Sequence, residues 1–220
     1  SSVSDDGLPA SPDPLPSSSC LTSTVFETTF GQRVTLMKNV ITQSLIALLA
    51  CLAGASKATA NLPLIFDYVT VETRAIDRDH FTQGLLIWND ALWVSSGLYG
   101  ESFVARYDWP SMANRQVTQL PDHYFAEGLA ELNGRIYVLT WRSQDLLVLD
   151  PNSMKIIETY RLPGEGWGVT SNGNQLWISD GTYRLAVWEN NEVKRTIEVT
   201  HEGKRVSRLN ELEWINGEIW

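Results

Sequence analysis

From Phe66 onward, short apolar runs alternate with polar turns, and the alternation itself repeats. The run from Phe125 to Leu132 ends in the turn Asn133-Gly134, and a second run, Ile136 to Trp141, follows with Tyr137 near its start. Aligned on Tyr137, the same pattern returns with Trp93, Trp177 and Trp220 in its place, at spacings of 44, 40 and 43 residues. Eight to nine residues before these anchors stand Gly84, Gly128, Gly168 and, in the last copy, Glu211. Between opener and anchor lie Asn89-Asp90, Asn133-Gly134, Asn172-Gly173-Asn174 and Asn216-Gly217. A third run then ends on an acidic residue, Asp108, Asp150 or Glu189, and a fourth, such as Lys155 to Tyr160, closes the unit.

Asn-Gly and Asn-Asp between apolar runs mark two-residue hairpins, because both turn positions need positive φ. Four antiparallel strands per unit of roughly 40 residues define a propeller blade. The chain is therefore read as an all-β protein, a β-propeller, with about three and a half blades between Asn61 and Trp220. That count leaves the domain 61–220 C-terminally incomplete. The alternating segment Phe66 to Arg74 is expected to be an outer strand of the closing blade.

In a propeller the first strand of each blade lines the axis, so the residue before each opener faces the channel. Those residues are Gln83, Glu127, Trp167 and Asn210. The scaffold repeats while this position varies, as expected of a site grafted on a symmetric fold. Two amides, a carboxylate and an indole suit a small-molecule or chain-end pocket. Each also has a plainer reading: Glu127 as a strand-ending carboxylate bonded to backbone, Trp141 and Trp167 as core, Gln83 and Asn210 as ties between blades.

Upstream the text changes. Residues 1–36 are rich in Ser, Thr, Pro and Asp without apolar periodicity, and are read as unstructured. Met37, Lys38, an apolar core from Val40 to Gly54 and Ala58-Thr59-Ala60 form a secretory signal peptide over 37–60, with a lipoprotein box ending at Cys51 as the rival. Export to the periplasm or the medium follows, with no membrane span in the mature chain. Both cysteines, Cys20 and Cys51, precede Asn61, so the mature chain has no disulfide and no thiol nucleophile.

Seventeen Lys and Arg against 26 Asp and Glu give a net charge of −9, and no long basic run exists. Nucleic acid is excluded as a partner on that ground. His80, His123 and His201 stand singly without zinc-ligand spacing, and there is no G-x-S-x-G elbow. No metal ligand is assigned and no cofactor is required, while a structural ion in the channel stays open. A monomer is expected.

The motifs Phe81-Thr82-Gln83-Gly84, Phe125-Ala126-Glu127-Gly128, Leu139-Thr140-Trp141, Glu165-Gly166-Trp167-Gly168 and Asn210-Glu211-Leu212-Glu213-Trp214 resemble the bacterial and plant type of glutaminyl cyclase. The resemblance covers Phe66 to Trp220 and implies a five-bladed propeller. It also implies conversion of an N-terminal glutamine of a peptide or protein to pyroglutamate, with release of ammonia. Carried over by motif, it makes Glu127 the catalytic general acid and base, and Phe81, Gln83, Phe125, Trp141, Trp167 and Asn210 the substrate pocket. Ala126 stands where the family has Gly. A family Trp and Lys fall beyond Trp220. The alternatives are an exported propeller that binds a peptide or protein without chemistry, and a calcium-dependent propeller hydrolase, which would gather several channel carboxylates.

Overall fold

The computed structural model describes residues 68–220. The upstream segment 1–36, the signal segment 37–60 with Cys51, and residues 61–67 lie outside the described residues. Residues 68–75 fall in a different compact unit from 76–220. The outer strand expected at Phe66 to Arg74 is not formed over its described part: residues 68–74 carry no strand, and Tyr68, Val69 and Val71 are exposed. Alternation supplies a sided segment, but a strand exists only through a ladder partner, and no described ladder includes these residues.

Residues 76–220 hold three four-stranded antiparallel sheets. Blade one runs β1 (Thr82–Trp88), β2 (Ala91–Ser96), β3 (Phe103–Asp108), β4 (Gln116–Gln119). Blade two runs β5 (Ala126–Leu132), β6 (Arg135–Thr140), β7 (Asp145–Leu149), β8 (Ile156–Arg161). Blade three runs β9 (Val169–Ser171), β10 (Leu176–Ser179), β11 (Arg184–Glu189), β12 (Glu192–Glu198). Two short hairpins follow, β13 (Thr200–His201) with β14 (Lys204–Arg205), and β15 (Trp214–Ile215) with β16 (Glu218–Ile219). No helix long and apolar enough to cross a membrane occurs among the described residues.

The turn chemistry explains the hairpins. Asn89 and Asp90 adopt φ of 51° and 54°, Asn133 and Gly134 53° and 74°, and Asn216 and Gly217 50° and 90°. These are both-positive turns whose twist suits paired strands. Asn172-Gly173-Asn174 is built differently: only Gly173 is positive, and the Asn172 side chain accepts from the amides of Asn174 and Gln175 at 3.0 and 2.8 Å. The extra residue makes a side-chain-capped turn rather than a tight hairpin.

Burial is least in the outermost strand of each blade. β5 is buried almost throughout, whereas β4, β8 and β12 are mostly exposed. The middle strands face apolar neighbours on both sides, which is why β2 and β6 read as continuous apolar runs. Trp93, Ala91 and Val104 of blade one pack with Leu129, Ile136, Val138, Leu147 and Leu149 of blade two. Tyr137, Leu139, Leu146 and Val148 pack on Val169, Leu176, Ile178 and Trp188 of blade three. The anchors Trp93 and Tyr137 thus lie between blades, and Trp177 stacks on Trp214 at 5.9 Å.

Candidate functional site

The openers are glycines because the inner strands of successive blades touch there. A Cβ on Gly84 would lie 2.7 Å from the Leu129 amide, and one on Gly128 2.8 Å from the Val169 amide. On Gly168 it would fall 1.9 Å from the carbonyl oxygen of Asn210. Only a residue without a side chain admits such approach.

In blades one and two the residue before the opener sits on a bulge. β1 pairs Thr82 with Ser96 and Gly84 with Ser95, leaving Gln83 over; β5 slips register between Ala126 and Leu129, at Glu127. In blade three Ser179 serves both members of the pair, accepting from the Trp167 amide and donating to the Gly168 carbonyl. A bulge re-aims the side chain it carries, and here it recurs at the axis. The carbonyls of these residues are bolted to the preceding blade. Ser95 donates to Glu127 at 2.5 Å, the Gly128 amide to Trp167 at 2.8 Å, and Ser179 to Asn210 at 2.7 Å.

Two residues before Glu127, Phe125 is the centre of an aromatic wall. Phe125 meets Phe81 edge-on at 6.1 Å, Tyr99 at 5.5 Å and Trp141 at 5.5 Å. Gly97 makes room for Phe125, since a Cβ there would lie 2.4 Å from its ring. Gly181, at φ +75°, does the same for Trp167. Trp141 and Trp167 come from different blades, and both indole N–H groups donate to Oε2 of Glu165, at 2.8 and 2.9 Å.

Glu127 is 7% exposed, and no donor among the described residues bonds its carboxylate. Burial, then the charge of Glu165, pushes its pKa up to about 8. Loss of water penalises the charged form and a neighbouring anion adds to it. Glu211 follows the axis residue of the fourth copy, and its Oε2 comes within 3.0 Å of where a Gly128 Cβ would be. Its carboxyl is raised well above the usual range, first by desolvation and then by Glu213 and Glu127. Its accessible surface is nonetheless that of an exposed residue, so the side chain is crowded by protein yet reached by solvent.

The structure brings Phe81, Phe125, Trp141 and Trp167 into one connected wall, through Glu165 for the last. It places Gln83 half-buried and Asn210 exposed on the inner strands, and neither side chain is hydrogen-bonded among the described residues. Sequence reasoning assigned no part to Glu165, Tyr99, Ser95 or Ser179. The two serines were findable, each lying two residues past its anchor, Trp93 and Trp177. Glu165 lies inside a quoted motif, yet nothing in the repeat marks a carboxylate that spans two blades.

Among the described residues the one group with metal-ligand spacing is Asp77, Asp79 and His80, whose donor atoms lie within 4.8 Å of one another. It packs on β3 through Phe103 and Tyr107. Arg115 already bonds both carboxylates, at 3.3 and 3.0 Å, and supplies the positive charge. Burial lowers the pKa of His80.

Repeated four-stranded antiparallel blades, with a desolvated carboxylate on an inner strand, define a β-propeller. The chain belongs to the glutamine cyclotransferase family, whose model matches residues 23–220. It is 35% identical over 148 residues to the glutaminyl-peptide cyclotransferase of Arabidopsis thaliana, covering 66% of this chain and 46% of that protein. The crystal structure of Myxococcus xanthus glutaminyl cyclase superposes with a TM-score of 0.57 at 30% identity, over 64% of this chain and 60% of that one. The Neurospora crassa Pan2 WD40 domain, 10% identical with a TM-score of 0.50 over 61% of this chain and 40% of that one, shares the fold alone. The chain thus spans 46% of the curated relative and 60% of the solved one.

Proposed function

We propose that the protein is a glutaminyl-peptide cyclotransferase, closing an N-terminal glutamine to pyroglutamate with release of ammonia. The observation that carries this reading is Glu127. A carboxyl group sits on an axis bulge of a member of this family, without an internal partner and with its pKa near 8.

The α-amine nitrogen attacks the side-chain amide carbon, forming the ring C–N bond. Nucleophile and electrophile belong to one residue, so the enzyme's share is orientation and proton movement. Glu127 takes the proton released by the amine and delivers it to the departing amide nitrogen, whose C–N bond breaks as ammonia leaves. An acid/base with pKa near working pH performs both transfers and typically contributes about 10²- to 10⁴-fold. Gln83 and Asn210 offer neutral donors and acceptors to the substrate amide and its developing oxyanion, without a competing charge. Phe81, Phe125, Trp141 and Trp167 wall the glutamine side chain and exclude water. The substrate is the N-terminus of a peptide or protein, and the text of Met37 to Ala60 supports action after export.

Incubation with a Gln-initiated peptide tests this, with pyroglutamate followed by mass spectrometry beside the uncatalysed reaction. Conversion well above the spontaneous rate is expected. A folded protein that binds the peptide but leaves it unchanged overturns the reading in favour of a binding propeller.

A further inference from the structure

We propose that Glu165 is a positioning residue of this site, its single Oε2 receiving both indole N–H groups and so fixing the two walls beside Glu127 at one separation. In its consequence for rate, this rests on the cyclotransferase reading.

The two walls come from different parts of the fold. Trp141 follows β6, held by its amide to the Phe125 carbonyl at 3.0 Å. Trp167 precedes β9, held by its amide to Ser179. The two backbones meet through the Gly166 amide, 3.3 and 3.4 Å from the Thr140 and Trp141 carbonyls, but these bonds do not fix the side-chain torsions that set the distance between the rings. An indole has one donor and no acceptor, so each ring's polar edge accepts one anchor, and here both anchors are one oxygen. Bonds to a charged acceptor are roughly twice as strong as neutral ones. The clamp is itself braced: a Cβ on the next residue, Gly166, would lie 2.9 Å from the Cβ of Leu139, so the backbone carrying Glu165 is pressed against blade two. Glu165 is half-buried and lines a cavity of about 270 Å³ with Leu162, Pro163, Asp180 and Arg184, which leaves room for a neutral replacement.

The same carboxylate acts electrostatically on Glu127, whose charge in turn acts, with that of Glu213, on Glu211. Glu165→Gln keeps an acceptor for the indoles and removes only the charge, whereas Glu165→Ala removes both. In the full chain, KM for a Gln-initiated peptide is expected to stay within about twofold in Glu165→Gln and to rise about tenfold or more in Glu165→Ala, which removes both indole bonds. The acid limb of the pH–rate profile moves to lower pH in both.

A second readout needs no turnover. The indole N–H resonances of Trp141 and Trp167, assigned with Trp141→Phe and Trp167→Phe, should shift upfield in Glu165→Gln and further in Glu165→Ala. Unmoved resonances in Glu165→Gln, or an unaltered KM and pH profile in a folded Glu165→Ala, overturn the clamp. Resonances that move in a protein with no cyclase activity sustain the clamp and sink the cyclotransferase reading instead.

Discussion

Glu127 holds its proton to about pH 8 because the inner strands strip its water and Glu165 adds a second negative charge. That arrangement suits the proton shuttle proposed for it and costs stability. The folded pKa lies above the ordinary 4.5, so the native state binds more protons than the unfolded chain between those values. The contribution to stability is complete below 4.5 and is lost as pH rises through about 8, on the order of a few kcal/mol over the window. Glu127→Gln removes the dependence. Urea midpoints should therefore coincide near pH 5 and favour the variant at pH 8; a wild type gaining on the variant as pH rises would contradict the assigned burial. Ser95 supports the same residue from behind, its buried hydroxyl donating to the Glu127 carbonyl. Ser95→Ala leaves that carbonyl unsatisfied and should cost about 1–3 kcal/mol in denaturation. Activity should fall with it, since the bulge that aims Glu127 loses its tie.

The recurring element is the inner strand with a bulge and a glycine, and its tolerance is set by the neighbouring blade. Gly168→Ala would drive a methyl group into the Asn210 carbonyl and should destabilise by more than the 1–3 kcal/mol usual for overpacking. Gly134→Ala, with open space around it, should cost only the strain of its positive φ, about 1 kcal/mol. Equal losses by urea titration would refute the close approach of the strands. These elements were legible in sequence because turn residues answer to local rules, while anchors and openers recur at a fixed spacing set by the repeat. Asn89-Asp90, Asn133-Gly134 and Asn216-Gly217 form as their chemistry requires. Tyr68 to Arg74 failed because pairing is not local. The β13–β14 hairpin was not foreseen, since Thr200 to Arg205 breaks the repeat. Around the site, the aromatic positions and Glu127 could be named from motifs. Glu165 could not, because its role exists only once two blades bring Trp141 and Trp167 within reach of one oxygen.

At the scale of the molecule, three blades and the β15–β16 hairpin repeat one unit, while the residues at the axis differ from blade to blade. Symmetry supplies rigid neighbouring strands, and the variation places one carboxylate among amides and indoles. On the function proposed above, this carboxylate moves the proton in glutamine cyclisation. Ammonia release from a Gln-initiated peptide, measured for the wild type and Glu127→Gln in parallel across pH, tests it most directly. Wild-type release is expected on an acid limb near pH 8, with a loss of about 10²-fold or more in the variant. Equal release from both, or a wild type no faster than the uncatalysed peptide, would contradict it.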